Sequence, residues 1–299
     1  MAKVVRKTKK KASKKTSKKT SKKTSKKSAK KAPAKRAKVA PKKSPKKKAK
    51  KGSSGSMSKL MTLSYGVASY AVVLLALVYF IAFLLNSFVP KGIDSGVQGN
   101  VPLAALINSG LIALFGIQHG IMTNPAFKKK MLSFIPKVAE RSTYMLAIGI
   151  ITFVMCFAWQ PMTGIIWQAE NVLLSKLLVI ASLAGWGIVL YSSFLIDHFD
   201  LFGLRQVWMN YQGKAYKPVP FKQNSLYKYI RHPIMTGIFI GVWFTPVMTA
   251  GHLLMAVGLT LYIAIGVSHE EEHLMKELGA KYKKYMKSTA KFFPLHFKS

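Results

Sequence analysis

Beyond residue 57 the chain alternates long apolar runs with short polar segments. The first run, Leu60 to Val89, contains no charged residue. A helix that crosses a bilayer needs about 20 apolar residues at about 1.5 Å rise each, so this run is long enough to cross with tilt. Further apolar runs occupy 101–122, 143–160, 172–196, 233–249 and 251–268. The pattern predicts an all-α fold, a polytopic membrane helix bundle of about six transmembrane helices. The last two runs are expected to form a tight helical hairpin around Pro246–Gly251.

Charge divides the chain in two. The 299 residues include 47 Lys+Arg and 9 Asp+Glu, a formal net charge of +38. No acidic residue lies within 1–57, which carries four-residue repeats (SKKT, SKKT, SKKT, SKKS over 13–28) followed by a Pro/Ala/Lys stretch. Such a segment cannot bury apolar surface and repels itself, so 1–57 is expected to be a disordered basic tail and linker. Its composition resembles histone-H1-like and bacterial nucleoid-protein tails. Residues 1–51 would contact nucleic acid or anionic lipid without reading sequence. No apolar core of a secretory signal follows within the first thirty residues. The single cysteine, Cys156, makes no intrachain disulfide. These features exclude an ordinary soluble enzyme and a disulfide-stapled secreted domain, and leave 58–299 as an integral membrane domain.

Lysine and arginine also orient the bundle. The segments 123–142 and 197–231 carry both, and the tail after His269 carries seven lysines. The intervening loops are nearly free of them. Positive-inside bias therefore places both termini in the cytoplasm, and an even number of spans agrees. A bacterial inner membrane is the expected location.

Polar groups near a bilayer are costly, so their clustering is informative. Gln118 and His119 close the second span. Asp197, His198, Asp200 and Arg205 follow the fourth. Arg231 and His232 open the fifth, and His269 with Glu270–Glu272 closes the sixth. All four groups fall at cytoplasmic helix ends, which points to one interfacial site. In Tyr229-Ile-Arg-His-Pro-Ile-Met-Thr-Gly237, Pro233 suits the first turn of a helix. Arg231 and His232 then stand beside free backbone N–H groups that attract an anionic group such as a carboxylate. Gly237 permits close approach of a ligand or a helix. Three adjacent carboxylates at 270–272 suit a cationic or hydroxyl-rich partner, such as an α-amino group or a ribose diol. His269-Glu-Glu-Glu-His273 also matches the HExxH zinc-protease pattern, yet only His296 remains downstream as a third ligand, and no metal site is expected.

RHPxxxG ahead of a hairpin, then Glu-Glu, Leu274, Gly279, Tyr282 and Tyr285, resembles the superfamily of isoprenylcysteine carboxyl and phospholipid methyltransferases. The resemblance narrows with Gly116-Ile-Gln-His-Gly-Ile-Met-Thr-Asn-Pro-Ala-Phe-Lys128, Glu140-Arg-Ser-Thr-Tyr144, Asp197-His-Phe-Asp-Leu-Phe-Gly-Leu-Arg-Gln-Val207 and Trp243-Phe-Thr-Pro-Val-Met-Thr-Ala-Gly-His252. These strings are similar to the methanethiol S-methyltransferase family over about residues 60–295. The chain departs from that pattern at Met235, where relatives often carry Tyr, and at Gly120, where Ser is expected.

The resemblance implies methyl transfer from S-adenosylmethionine to methanethiol, giving dimethyl sulfide. It implies cofactor binding by Arg231, His232, Pro233, Gly237, Glu270 and Glu271. An alkyl thiol is mostly protonated at neutral pH, so a base or a cation would help. His198 or His119 is the candidate proton acceptor, and Arg205 the candidate partner of the thiolate. Asp197, Phe202 and Trp243 are candidate substrate-binding residues. The alternatives are a related methyltransferase acting on an isoprenylcysteine carboxylate or a lipid amine, a membrane zinc protease, and a membrane anchor for the basic arm.

Overall fold

The computed structural model describes residues 55–294, with side chains from Ser58 onward. The basic arm lies outside the described residues, as do 295–299. In chain order the elements are α1 (Gly55–Leu84), α2 (Val101–Thr123), a short α3 (Pro125–Met131), α4 (Glu140–Ala158), β1 (Ile165–Gln168), α5 (Val172–Ile196), a one-turn α6 (His198–Leu201), α7 (Leu204–Tyr211), α8 (Pro233–Trp243), β2 (Val247–Thr249), α9 (Ala250–Leu278) and α10 (Ala280–Ser288). Among the described residues, α1, α2, α4, α5 and α9 are long and apolar enough to cross a membrane. The protein is a multi-pass helical membrane bundle.

Local chemistry sets the helix starts. Asn100 and Asn171 accept from Leu103 N and Leu174 N, and Thr249 accepts from His252 N, each satisfying a first-turn donor. Pro102 and Pro233 stand in first turns, where a missing N–H costs nothing. At the other end of α9, Gly279 takes φ +55° and breaks the chain into α10.

Two expectations are corrected. The first span stops at Leu84 rather than Val89, and the chain turns through Asn86 (φ +50°) and Phe88 (φ +65°). The segment 233–249 is not one arm of a helical hairpin. Its helix, α8, has 11 residues, about 16 Å, roughly half the hydrocarbon thickness. The chain beyond it is extended, and β2 pairs antiparallel with β1. Pro246 offers no N–H for a helix, while Thr245, Val247 and Thr249 are β-branched. The Pro246 carbonyl is instead satisfied by Ala169 N at 2.8 Å.

Small residues bring the helices together. A Cβ on Gly237 of α8 would lie 2.6 Å from the Gly185 carbonyl oxygen of α5, and Ser182 Oγ donates to Gly241 O at 2.7 Å. Close backbone approach of this kind replaces the missing hydrophobic drive between helices in lipid. Beside this seam a buried apolar cluster gathers Phe80, Phe83, Met155, Trp159, Trp186, Val242, Met255 and Leu259. The loop side of that cluster is tied by Thr249 Oγ1 donating to Asp94 at 2.7 Å and by Asn108 Nδ2 donating to Gln160 O at 2.8 Å. The charged side chains concentrate at the opposite end.

Candidate active site

At that end the starts of α1, α4 and α8 meet the ends of α2, α5 and α9. Tyr65 donates to Thr143 at 2.9 Å, Tyr70 lies 2.8 Å from His198, Tyr144 bonds His119, and Arg231 bonds Glu271. The four polar groups of the sequence therefore converge on one region.

The first cluster is an ionic knot. Arg231 Nε donates to Glu271 Oε1 at 2.8 Å, and its Nη1 donates to Met286 O at 3.0 Å and to Thr289 O. His232 Nε2 stands 3.1 Å from the same Glu271 oxygen, and Lys291 Nζ lies 3.6 Å from the other. The C-terminal segment runs beside the motif, with Arg231 N donating to Ala290 O at 2.8 Å and His232 N to Lys291 O at 3.2 Å. Thr236 Oγ1 donates to Phe292 O at 2.5 Å. Arg231 and Glu271 are 9% and 10% exposed at the side chain, so this pair is internal. Helix phase explains it: Met255, Leu259, Ile263, Val267 and Glu271 follow four-residue steps along the buried stripe of α9.

Glu270 differs from its neighbour. Its side chain is 50% exposed, and its contact here is His232 Nδ1 at 3.5 Å. The carboxylate lies within electrostatic reach of Tyr144, Tyr227, Tyr262 and Tyr282. Burial first, then this negative charge, raises Tyr227; burial chiefly raises Tyr282 and takes Tyr285 up to about 12. All three remain neutral phenols. Glu270 is thus an open anion at the rim of an aromatic bowl.

The second cluster surrounds His119. Its Nε2 bonds the Tyr144 hydroxyl, and its ring packs against Tyr144, Tyr262 and Phe115 with centroids 5.0, 5.5 and 6.1 Å away. Its Nδ1 is buried and meets no hydrogen-bond partner among the described residues; Gln118 Oε1 beside it is in the same state. Buried polar groups usually find a partner, so this nitrogen is one that a small polar group could engage. Arg141 completes the wall, with its guanidinium carbon 5.1 Å from the Tyr144 ring centre.

The third cluster holds the corner between α5 and α7. His198 is buried, with Nδ1 2.8 Å from Ser193 Oγ and Nε2 2.8 Å from Tyr70 Oη. Its ring stacks on Phe194 at 4.3 Å and tilts over Phe202 at 4.6 Å. Burial pulls its pKa below the usual value, against a smaller upward pull from Asp197. Both nitrogens are occupied, so His198 is a neutral structural ring with no lone pair left for a substrate. Asp197 caps α6 by accepting from Asp200 N at 3.1 Å. Arg205 pairs with Asp197 at 3.2 Å and with Asp200 at 3.4 Å, so its charge is matched. Gly203 takes φ +86° and lies where a Cβ would sit 2.6 Å from Ser142 N, which seats the corner on the start of α4.

Three further sequence candidates lie along α8. Gly237 is buried in the seam with α5, so it serves a helix contact. Trp243 ends α8, about 15 Å along the axis from Pro233, and donates to Thr260 Oγ1 at 2.9 Å. Pro233 is buried at the start of α8. Phe202 does reach the site, packing against the cluster of Val73, Met122, Tyr144 and Met145. The sequence reading passed over Arg141, Tyr144 and Tyr262 as functional residues. Tyr262 stands at a four-residue step from Gly266 and Glu270, which signals a shared helix face. Among the described residues no three His, Cys, Asp or Glu side chains gather as a metal ion needs. His269 turns back to Ile265 O, and His273 faces Glu277.

The chain is similar to several proteins of known name. It is 40% identical to "Methanethiol S-methyltransferase 1" of Bradyrhizobium diazoefficiens over 236 residues, 79% of this chain and 83% of that one. It is 37% identical to "Methanethiol S-methyltransferase" of Mycobacterium tuberculosis over 238 residues, covering 98% of that protein. A more distant similarity, 27% over 208 residues, links it to "Nurim" of Xenopus laevis. No family model matches the chain, and no solved structure matches it.

Proposed function

The chain belongs to the methanethiol S-methyltransferase family, and from that premise we propose that it methylates the sulfur of methanethiol with S-adenosylmethionine as donor, releasing dimethyl sulfide. The domain responsible is 58–299, set in a bacterial inner membrane with its charged end toward the cytoplasm. Lys-rich and Arg-rich segments at that end support the orientation.

The observation that carries the reading is the half-exposed Glu270 carboxylate within electrostatic reach of Tyr144, Tyr262 and Tyr227, the first two of which pack against His119. The donor set fits S-adenosylmethionine: an anion and π faces for its cationic centre, and hydroxyl and imidazole groups for its polar ends. When bound, that molecule supplies an electrophilic methyl group on a positively charged sulfur. Glu270 and His232 would hold it. Arg231, Glu271 and Lys291 position those two side chains, because the knot fixes the start of α8 against α9. His119 takes the thiol proton on Nδ1, while Tyr144 holds its other nitrogen. Phe115, Phe202 and Tyr262 keep water from the sulfur, so alignment supplies much of the rate. A small apolar thiol reaches a site at this depth through lipid.

The direct test is headspace gas chromatography of cells that express residues 57–299 and are supplied with methanethiol. Dimethyl sulfide above the vector control is expected. Its absence, with the protein present in membranes, overturns the proposal.

A further inference from the structure

We infer that Arg141, and not Arg205, is the catalytic cation that stabilises the methanethiol anion as His119 Nδ1 takes the proton; this deepens the thiol-methylation reading and rests on it. The argument begins with charge matching. Arg205 is held by Asp197 at 3.2 Å and Asp200 at 3.4 Å. The acids nearest Arg141 in electrostatic terms are Asp200 and Glu140. Asp200 is paired with Arg205, and Glu140 is paired with Lys128 at 3.3 Å. Arg141 therefore forms no ion pair among the described residues. Its Nε donates to Leu201 O at 2.6 Å, which fixes the side chain, and its remaining N–H groups meet no acceptor among the described residues.

Position makes that unmatched charge useful. The guanidinium lies over the Tyr144 ring at 5.1 Å, and the Tyr144 hydroxyl bonds His119 Nε2. Guanidinium and imidazole thus flank one phenol, the first over its face and the second at its hydroxyl, and the imidazole Nδ1 meets no partner among the described residues. With the Nε2 proton donated to Tyr144, Nδ1 carries a lone pair. The groups that face His119 are Tyr144 and Arg141 on α4 and Tyr262 on α9, with Glu270 within reach of both phenols. In the step, the S–H bond of methanethiol breaks. Its proton goes to Nδ1, its electron pair stays on sulfur, and Arg141 faces the new negative charge. Water at the charged end later takes the proton from Nδ1. A desolvated thiolate without a counter-charge is costly, whereas a fixed guanidinium in an aromatic wall needs no reorganisation when the charge appears.

The experiment uses the purified full chain and the variants Arg141→Gln and Arg141→Lys. Protein loaded with S-adenosylhomocysteine, which cannot react, is titrated with methanethiol, and the ultraviolet absorption of the thiolate is followed. Turnover is measured in parallel with methanethiol and with an aryl thiol already ionised at the assay pH. Arg141→Gln is expected to abolish the thiolate signal and lower kcat/KM for methanethiol by about 10²–10³-fold. It should lower turnover of the aryl thiol far less, and added guanidinium ions should restore part of the loss. Arg141→Lys keeps the charge and is expected to retain the signal, so the inference stands or falls even where the Gln variant does not fold. Equal losses for both thiols without guanidinium rescue, or a thiolate signal unchanged in Arg141→Gln, overturn the inference. A wild type that turns over methanethiol but shows no bound thiolate overturns the Arg141 assignment alone. A wild type that converts neither thiol overturns the methylation reading itself.

Discussion

Replacing the two neighbouring glutamates one at a time should separate two properties that adjacent side chains are seldom able to separate. Glu271 accepts from Arg231 at 2.8 Å, lies 3.1 Å from His232 and 3.6 Å from Lys291, and is 10% exposed. A hydrogen bond to a charged partner contributes about 1.5–3 kcal/mol and a neutral one about 0.5–1.5 kcal/mol. Glu271→Gln keeps the shape but downgrades the two short bonds, so about 2–3 kcal/mol of stability should be lost. Glu271→Ala leaves Arg231 buried without its counter-charge and should cost about 3–5 kcal/mol. Glu270, half exposed and 3.5 Å from His232 Nδ1, should cost under about 1 kcal/mol on replacement by Gln. Its loss should appear instead as roughly 10–100-fold weaker binding of S-adenosylmethionine. Thermal unfolding in detergent measures the first property, and calorimetric titration with the cofactor measures the second. If Glu270→Gln lowers the melting temperature as much as Glu271→Gln does, or leaves cofactor affinity intact, the division of labour argued for this pair is wrong.

Three other outcomes follow from the same geometry. Gly237→Ala should lower stability by about 1–3 kcal/mol or more through overpacking against the Gly185 carbonyl, with cofactor affinity per folded molecule unchanged when titrated after size-exclusion. Trp243→Phe should cost about 1 kcal/mol through the lost bond to Thr260 and leave KM for methanethiol unaltered in a headspace assay; a raised KM would return Trp243 to the substrate site. His198 has a folded pKa below its ordinary value of 6.5. Below that pH the unfolded chain binds a proton that the folded chain refuses, so stability should fall as pH drops. His198→Gln should flatten this dependence in melting curves taken across pH 5 to 8, and an unchanged slope would contradict the buried neutral ring.

How much of this the sequence carries depends on range. The bounds of α2 and α5 follow from local hydropathy and from Asn100 and Asn171 as caps, and both helices begin where the apolar runs begin. The end of α8 does not follow, because 233–249 is apolar throughout and the pairing of β2 with Ile165–Gln168 is distant in sequence. Nor does the end of α9, since Glu, Lys, Met and Leu after His269 favour helix without favouring lipid. Of the site, convergence of the four polar groups was readable from their places at helix ends. The burial of Glu271 is legible too, in its four-residue phase with Ile263 and Val267. The division between His119 and His198 was not. It turns on Tyr70, Ser193 and Tyr144, partners contributed mostly by other helices, and on which ring nitrogen they occupy.

The strip 289–292, zipped alongside Ile230–His232, bears on biogenesis. Every membrane-crossing element precedes this strip in the chain, and the knot around Arg231 stays unfinished until the strip joins it. A chain cut after Ser288 would still reach the bilayer and pass a topology assay, while behaving as an assembled shell whose last fastening is missing.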